Sequence, residues 1–243
     1  MVYFVSDIHL GAGSPEVQRR VEDRFVAFLR SIEDSATTLI LAGDIFDFWF
    51  EYKHAIPQGY SRTLGQLATM HDKGIRIIMF TGNHDMWVGY YLTRECGIEI
   101  FTTPQRLTLA GKRLFVAHGD NMNIKGQPLL RLMNAMFRSR LLRWAASWFI
   151  HPNLFLGFGK WWSSKSRKSH GAVQSKDILN PLIEYAIEEG KRQEIDYFVF
   201  GHLHYAADIS AEERILFLGD WHRQPSYIVL ADNGEIELKF IEG

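Results

Sequence analysis

Five short apolar runs in this 243-residue chain each stop at a cluster of Asp, Asn, Gly and His. Val2 to Ser6 runs into Asp7-Ile8-His9, and Thr38 to Ala42 into Gly43-Asp44-Ile45-Phe46-Asp47. Ile75 to Thr81 is followed by Gly82-Asn83-His84-Asp85, Arg113 to Ala117 by His118-Gly119-Asp120, and Tyr197 to Phe200 by Gly201-His202-Leu203-His204. Short apolar runs bounded by turn residues read as strands. Helical patterns lie between several of them, at about Thr63 to Lys73 and Asp177 to Glu189, with another opened by Ser14 as N-cap and Pro15 at the first helical position. Further strands are expected at Arg106 to Leu109, Ile215 to Leu218, Ser226 to Leu230 and Glu235 to Ile241. This alternation predicts an α/β domain. In such domains ligands gather at the carboxyl ends of the strands, so five polar clusters placed there converge on one crevice.

Taken singly, each cluster is an ordinary turn sequence. As a set they hold five of the ten histidines, His9, His84, His118, His202 and His204. The remaining five, His54, His71, His151, His170 and His222, read as surface or local hydrogen-bonding residues. Asp7, His9, Asp44, Asn83, His118, His202 and His204 offer more ligands than one tetrahedral ion takes, and two divalent ions sharing Asp44 would use all seven. Imidazole, carboxylate and amide ligands without thiolate suit Mn, Fe, Zn or Mg. The chain's one cysteine, Cys96, excludes both an internal disulfide and a thiolate cage. Two such ions among few carboxylates leave a net positive site suited to a phosphate ester, where they activate water and stabilise developing charge. Asp47, Asp85 and Asp120 are expected behind the ligands, orienting histidines or closing turns.

The net charge of −1 conceals a division. Between Asn121 and Lys176 stand ten Lys or Arg and no Asp or Glu; the rest of the chain, with 17 basic and 28 acidic residues, carries −11. The basic stretch also holds Phe137, Trp144, Trp148, Phe149, Phe155, Phe158, Trp161 and Trp162. Helices are expected near Pro128 to Phe137 and Leu141 to Ile150, with a Gly- and Ser-rich loop from Gly157 to Ser169. Interleaved cations and aromatics suit nucleic acid, an anionic membrane, or a ligand that is both acylated and phosphorylated; the apolar content favours the lipid readings. A helical hairpin with a solvated basic face is the plainer alternative. Lys160, Lys165, Arg167 and Lys168 are candidate substrate-phosphate contacts. No apolar run approaches the roughly 18 residues of a spanning helix, and the strand-like start lacks a basic leader and a cleavage signal.

The five motifs in this order resemble the calcineurin-like metallophosphoesterase family. The resemblance implies a four-layer α/β sandwich, two β-sheets flanked by helices, formed by residues 1–120 and 177–243, with 121–176 inserted as a helical cap. It implies one metal on Asp7, His9, Asp44 and His204 and a second on Asp44, Asn83, His118 and His202, with His84 beside Asn83 contacting the phosphate and protonating a leaving oxygen. Manganese is the expected metal, with Mg, Fe or Zn as alternatives. Gly43-Asp44-Ile45-Phe46-Asp47-Phe48-Trp49, Leu218-Gly219-Asp220-Trp221-His222 and the insert further resemble the UDP-2,3-diacylglucosamine pyrophosphatases of lipid A biosynthesis. One branch of these carries Arg where this chain has His84. The resemblance implies a bacterial enzyme, cytoplasmic and peripheral on the inner membrane, that hydrolyses a UDP-diacylglucosamine-like lipid and has no nucleic acid partner. A phosphoesterase acting on another pyrophosphate, a phosphodiester or nucleic acid, and a non-catalytic scaffold, are the rival readings.

Overall fold

Side chains along the first strand, Val2–Val5, alternate between two cores: Val2 and Phe4 point one way, Tyr3 and Val5 the other. That period-two alternation with both faces buried is the mark of a strand sandwiched between layers. The computed structural model describes residues 1–122, 136, 139–170, 176–210 and 214–241, with backbone alone at 140, 160, 164–170 and 176. In chain order the elements are β1 (Val2–Val5), α1 (Pro15–Ile32), β2 (Thr38–Leu41), α2 (Ser61–Asp72), β3 (Arg76–Phe80), α3 (Tyr90–Cys96), β4 (Glu99–Phe101), β5 (Gln105–Leu109) and β6 (Lys112–Ala117). There follow α4 (Arg140–Phe149), α5 (Pro152–His170), α6 (Asn180–Gly190), β7 (Tyr197–Phe200), β8 (Ala207–Ser210), β9 (Arg214–Phe217), β10 (Ser226–Leu230) and β11 (Ile236–Phe240).

The strands form two mixed sheets. One has the order β11-β10-β1-β2-β3-β4, the other β5-β6-β7-β9-β8. Within the first, β1 to β4 are parallel, in register from Val2 opposite Thr38 to Phe80 opposite Phe101, while β10 and β11 add antiparallel. Within the second, β6, β7 and β9 are parallel between antiparallel edge strands. Phe4, Ile40, Ile78, Val116, Val199 and Leu216 fill the space between the sheets. The outer face of the first sheet packs Tyr3, Leu39, Leu41 and Ile77 against Phe25, Leu29 and Leu67 of α1 and α2. The outer face of the second packs Phe115, Phe198 and Phe217 against Leu182 and Ala186 of α6. Each such fully buried side chain contributes roughly 1.5–3 kcal/mol, and the result is the expected α/β arrangement of two sheets flanked by helices.

Helix α1 starts where its sequence says: Ser14 Oγ accepts from Val17 N–H at 3.4 Å and Pro15 occupies the first turn. Strands β4 and β8 and helix α3 were not anticipated; all are short, and β4 and β8 are edge strands. The expected helix at Pro128 to Phe137 lies outside the described residues except at Met136. A second difference concerns the expected Gly- and Ser-rich loop, which is continuous helix within α5. Glycine costs a helix about 1 kcal/mol and serine several tenths. Packing reverses that preference here, because Phe155, Gly159 and Ser163, spaced four apart on one face, all touch the body. The Phe155 ring lies 4.6 Å from that of Phe50 and 5.4 Å from that of Trp87. Any Cβ at Gly159 would stand 2.4 Å from the Phe48 ring. Ser163 is 1 % exposed.

Candidate metal centre

The five clusters meet where the carboxyl ends of β1, β2 and β3 in one sheet face those of β6 and β7 in the other. One group of ligand atoms, from Asp7, His9, Asp44 and His204, lies within 4.8 Å of one another, and Asp44, His118 and His202 form a second such group. Asp44 belongs to both. His204 Nε2 stands 3.3 Å from Asp7 Oδ1 and 3.1 Å from His9 Nε2, and His118 Nε2 stands 3.3 Å from Asp44 Oδ2. His118 donates its Nδ1–H to the Ala42 carbonyl at 2.9 Å, which leaves the Nε2 lone pair turned toward the Asp44 carboxylate. Among the described residues, His118 Nε2 and Asn83 Oδ1 are buried at this centre without a hydrogen-bond partner. Buried polar atoms are rarely left unsatisfied in folded proteins, and two acceptors turned into a cluster of carboxylates and imidazoles are what a cation needs. The donor set therefore fits divalent metal, with oxygen and nitrogen ligands and no sulfur.

The backbone reinforces this reading. Among the described residues seven non-glycine residues have positive φ, and five are Asp7 (54°), His9 (48°), Asp44 (53°), His202 (69°) and His204 (55°). Left-handed backbone costs a non-glycine residue roughly 1–2 kcal/mol, and such strain collects at functional sites. Hydrogen bonds hold the turns in that shape: Asp7 N–H donates to the Gly43 carbonyl at 3.1 Å, His9 N–H to that of Asp44 at 3.0 Å, and His202 N–H to Asp7 Oδ2 at 3.0 Å. Glycine is needed at Gly82 and Gly201 for another reason, close approach. A Cβ would lie 2.1 Å from Asp44 Oδ1 at Gly82, and 2.1 Å from Ser6 Oγ at Gly201.

Charge at the centre is arranged to attract a cation. Burial would raise Asp44, but His118, His84 and His9 around it hold its carboxyl well below the usual range. Burial works against protonation of His118 and His204, and Asp44 and Asp7 respectively override it and raise both imidazoles. The neighbouring Asp85 is pushed up to about 7 by burial and by the Asp44 carboxylate. Asp85 accepts from Gly82 N–H and Ile45 N–H at 2.8 Å and from Asp44 and Phe46 N–H at 3.4 Å, so it ties the β2 and β3 loops together.

Of the other residues expected behind the ligands, Asp47 Oδ1 lies 3.9 Å from His9 Nδ1 and 3.8 Å from His84 Nδ1. Asp120 accepts from Asn121 Nδ2 at 2.7 Å, next to His118. His84 donates its backbone N–H to Asp44 Oδ1 at 2.9 Å and sets its ring edge-on to His9, with Nε2 4.0 Å from Asp44 Oδ2. Lys160, Lys165, Arg167 and Lys168 lie on α5, with side chains outside the described residues. Three residues at the site were not singled out from sequence. Asp220 stands 3.9 Å from His204 Nδ1. His222, read as peripheral, donates its backbone N–H to Asp220 Oδ1 at 2.8 Å and places Nε2 3.4 Å from the His9 carbonyl. Ser163 comes from α5, a helix of the basic stretch, and contacts His84 and Asp47.

A small cavity opens beside Asn83 and His84, walled by Phe48 and Trp87 of the body and Phe158 and Trp162 of α5. Trp87 also walls a second, larger apolar chamber, with Phe50, Leu142, Phe149 and Phe155.

Known proteins match this chain over most of its length. The calcineurin-like phosphoesterase profile covers residues 1–206. A UDP-2,3-diacylglucosamine hydrolase of Porphyromonas gingivalis is 37 % identical over 246 residues, spanning 94 % of this chain and 93 % of that one. A protein of the same name from Pseudomonas aeruginosa is 28 % identical over 249 residues, 98 % of each chain. Among solved structures, an archaeal phosphodiesterase aligns over 99 % of both chains with 13 % identity and a TM-score of 0.48, a loose overlay.

Proposed function

We propose a reaction from one premise: the chain belongs to the calcineurin-like phosphoesterase family. It is a divalent-metal-dependent hydrolase that cleaves the pyrophosphate of UDP-2,3-diacylglucosamine to UMP and 2,3-diacylglucosamine 1-phosphate. Water adds to one phosphorus and the bridging P–O bond breaks. Asp7, His9, Asp44 and His204 would hold one metal and Asp44, Asn83, His118 and His202 the other, with manganese as the expected ion. When bound, such a pair supplies an activated water and an electrostatic clamp on the phosphoryl oxygens. His84 sits at the mouth of the cavity beside Asn83, placed to meet a phosphate oxygen where relatives of one branch present Arg.

The observation that carries the substrate is the sharing of Trp87. The cavity beside Asn83 and His84 adjoins the larger apolar chamber across one side chain, so a phosphate at the metal centre and an acyl chain of the same molecule find neighbouring sites. Helices α4 and α5, whose residues line both, act in this reading as the cap. Outside the chamber, Trp148 and Leu154 are 67 % and 72 % exposed on α4 and α5, on a stretch with ten cations and no acid. Exposed aromatics and aliphatics among cations suit the surface of an anionic bilayer. Among the described residues no helix is long and apolar enough to cross a membrane, so this contact is peripheral, on the cytoplasmic face of the inner membrane.

The test is release of UMP from UDP-2,3-diacylglucosamine by purified protein with Mn²⁺. A preparation that hydrolyses bis(p-nitrophenyl) phosphate but frees no UMP would overturn the substrate and leave the chemistry.

A further inference from the structure

Helix α5 places one polar side chain in the body of the protein beside the candidate metal centre. Ser163 Oγ lies 2.8 Å from His84 Nδ1 and donates to Asp47 Oδ1. A serine hydroxyl has one proton. With that proton given to the Asp47 carboxylate, the contact with His84 has a single consistent direction: Nδ1–H donates and Ser163 Oγ accepts. The Asp47 carbonyl, 3.0 Å from the same Nδ1, also accepts from it. Two acceptors thus bracket one ring proton, fixing the tautomer and turning Nε2 toward Asp44. Ser163, Asp47 and His84 are all buried. The seat is close-fitting, since Gly159 one turn earlier leaves no room for a Cβ over Phe48.

We propose that Ser163 is a positioning residue: through it, the seated α5 helix aims His84, so that phosphoester hydrolysis depends on the cap even for a substrate too small to touch the cap. The inference rests on the phosphoesterase chemistry proposed above and not on the lipid substrate. Its physical basis is that the imidazole is held by hydrogen bonds from two separate segments, one being the β2 loop of the body and the other the cap helix. Losing the cap contact leaves the ring held at Nδ1 by the Asp47 carbonyl alone, and leaves the Asp47 carboxylate 3.8 Å from His84 Nδ1 without its serine donor. A ring displaced by a fraction of an ångström loses much of its value at a reacting phosphate.

The experiment uses the whole chain loaded with Mn²⁺ and bis(p-nitrophenyl) phosphate as the small diester. Ser163→Ala is expected to lower kcat by about tenfold or more, the loss of one oriented contact, with KM within about twofold and metal content unchanged. In a His84→Ala background the same substitution is expected to have no further effect, because non-additivity marks residues that act as a unit. A readout independent of turnover is the ¹⁵N-histidine spectrum of metal-free protein. The His84 Nδ1–H signal should be protected from exchange in the parent and exchange measurably faster in Ser163→Ala, where the Asp47 carbonyl alone still accepts it. If Ser163→Ala fails to fold, Ser163→Cys, similar in size and a poorer hydrogen-bonding group, takes its place with the same expected direction. A parent-like kcat on the small diester would overturn the proposal, making Ser163 a residue of cap packing or of the larger substrate. Losses that multiply in the double variant, or loss of metal from Ser163→Ala, would overturn it also. A parent enzyme that hydrolyses the diester but not UDP-2,3-diacylglucosamine would sink the lipid substrate and leave Ser163 in its role.

Discussion

Replacing Gly82 by Ala tests whether the loops exist to hold Asp44 in one place. Gly82 does not occupy the left-handed region, so the added methyl brings steric conflict without backbone strain. Its Cβ would stand 2.1 Å from Asp44 Oδ1, where ordinary contact begins near 3.4 Å, so the carboxylate must move by roughly 1 Å. The same Cβ would stand 2.7 Å from the Asp44 backbone nitrogen, so the loop must also shift, against the ties of that N–H to Asp85 and of the Asp44 carbonyl to His9. The side chain moves with it, losing the hydrogen bond from His84 N–H and its place in both ligand groups. A displacement of about 1 Å at a reacting centre costs on the order of 100-fold, or ~2.7 kcal/mol. Gly82→Ala should show kcat on bis(p-nitrophenyl) phosphate reduced by that factor, or fewer than two metals bound by mass spectrometry. Gly65→Ala is the matched control. Gly65 lies exposed in α2 with nothing within 4 Å of its absent Cβ, so the same substitution should raise stability by ~0.5–1 kcal/mol and leave kcat alone. Full metal content and a parent-like kcat in Gly82→Ala would refute the reasoning.

Chelation should lower the unfolding temperature of the metal-loaded protein, because ions that bind only the folded loops stabilise them by mass action; Asp44→Ala should be indifferent to chelator, and calorimetry reads both. Cys96 is buried, and burial together with Glu95 raises its thiol to about 11. At pH 8 it should resist iodoacetamide in the folded protein and react fully in denaturant, as followed by intact mass. Serine at both Trp148 and Leu154 removes two exposed apolar groups worth roughly 1.5–3 kcal/mol each if they enter a bilayer. Binding to phosphatidylglycerol vesicles should weaken by tenfold or more in sedimentation, with hydrolysis of the small diester unchanged.

The clusters could be read from sequence because each follows a strand whose apolar residues are contiguous, and because turn residues at a strand's end have little freedom about where they lie. Parallel strands carry their carboxyl ends to one edge, and Asp7, Asp44 and Asn83 follow from that alone. The left-handed backbone of Asp7, His9 and Asp44 was not legible, since it depends on hydrogen bonds to a second loop, such as that of His9 N–H to the Asp44 carbonyl. Ser163 was hidden differently. Local propensity read its surroundings as loop, and only contact with Phe48, Phe50 and Trp87 makes that stretch a helix. A signal was nevertheless present in the spacing of Phe155, Gly159 and Ser163, one large and two small residues four apart, which a helix lays on one face. Asp220 and His222 stood in a recognised motif and were passed over because no apolar period ties a C-terminal loop to the first strand.

The division of charge acquires a spatial meaning at this centre. An acidic body at −11 would repel a pyrophosphate if its carboxylates faced the approaching anion. The acids nearest the site do not face it: Asp7, Asp44, Asp47 and Asp85 are almost wholly buried. Each accepts a hydrogen bond that draws its charge inward, Asp7 from His202 N–H, Asp44 from His84 N–H, Asp47 from Ser163 and Asp85 from the β2 and β3 loops. What lines the cavity is Asn83, His84 and aromatic rings. The carboxylates thus act on cations within the cluster, while an anion arriving from outside meets imidazole and amide. In sequence, the ten cations between residues 121 and 176 are interleaved with Trp and Phe, a combination that suits an anion carried on an apolar chain.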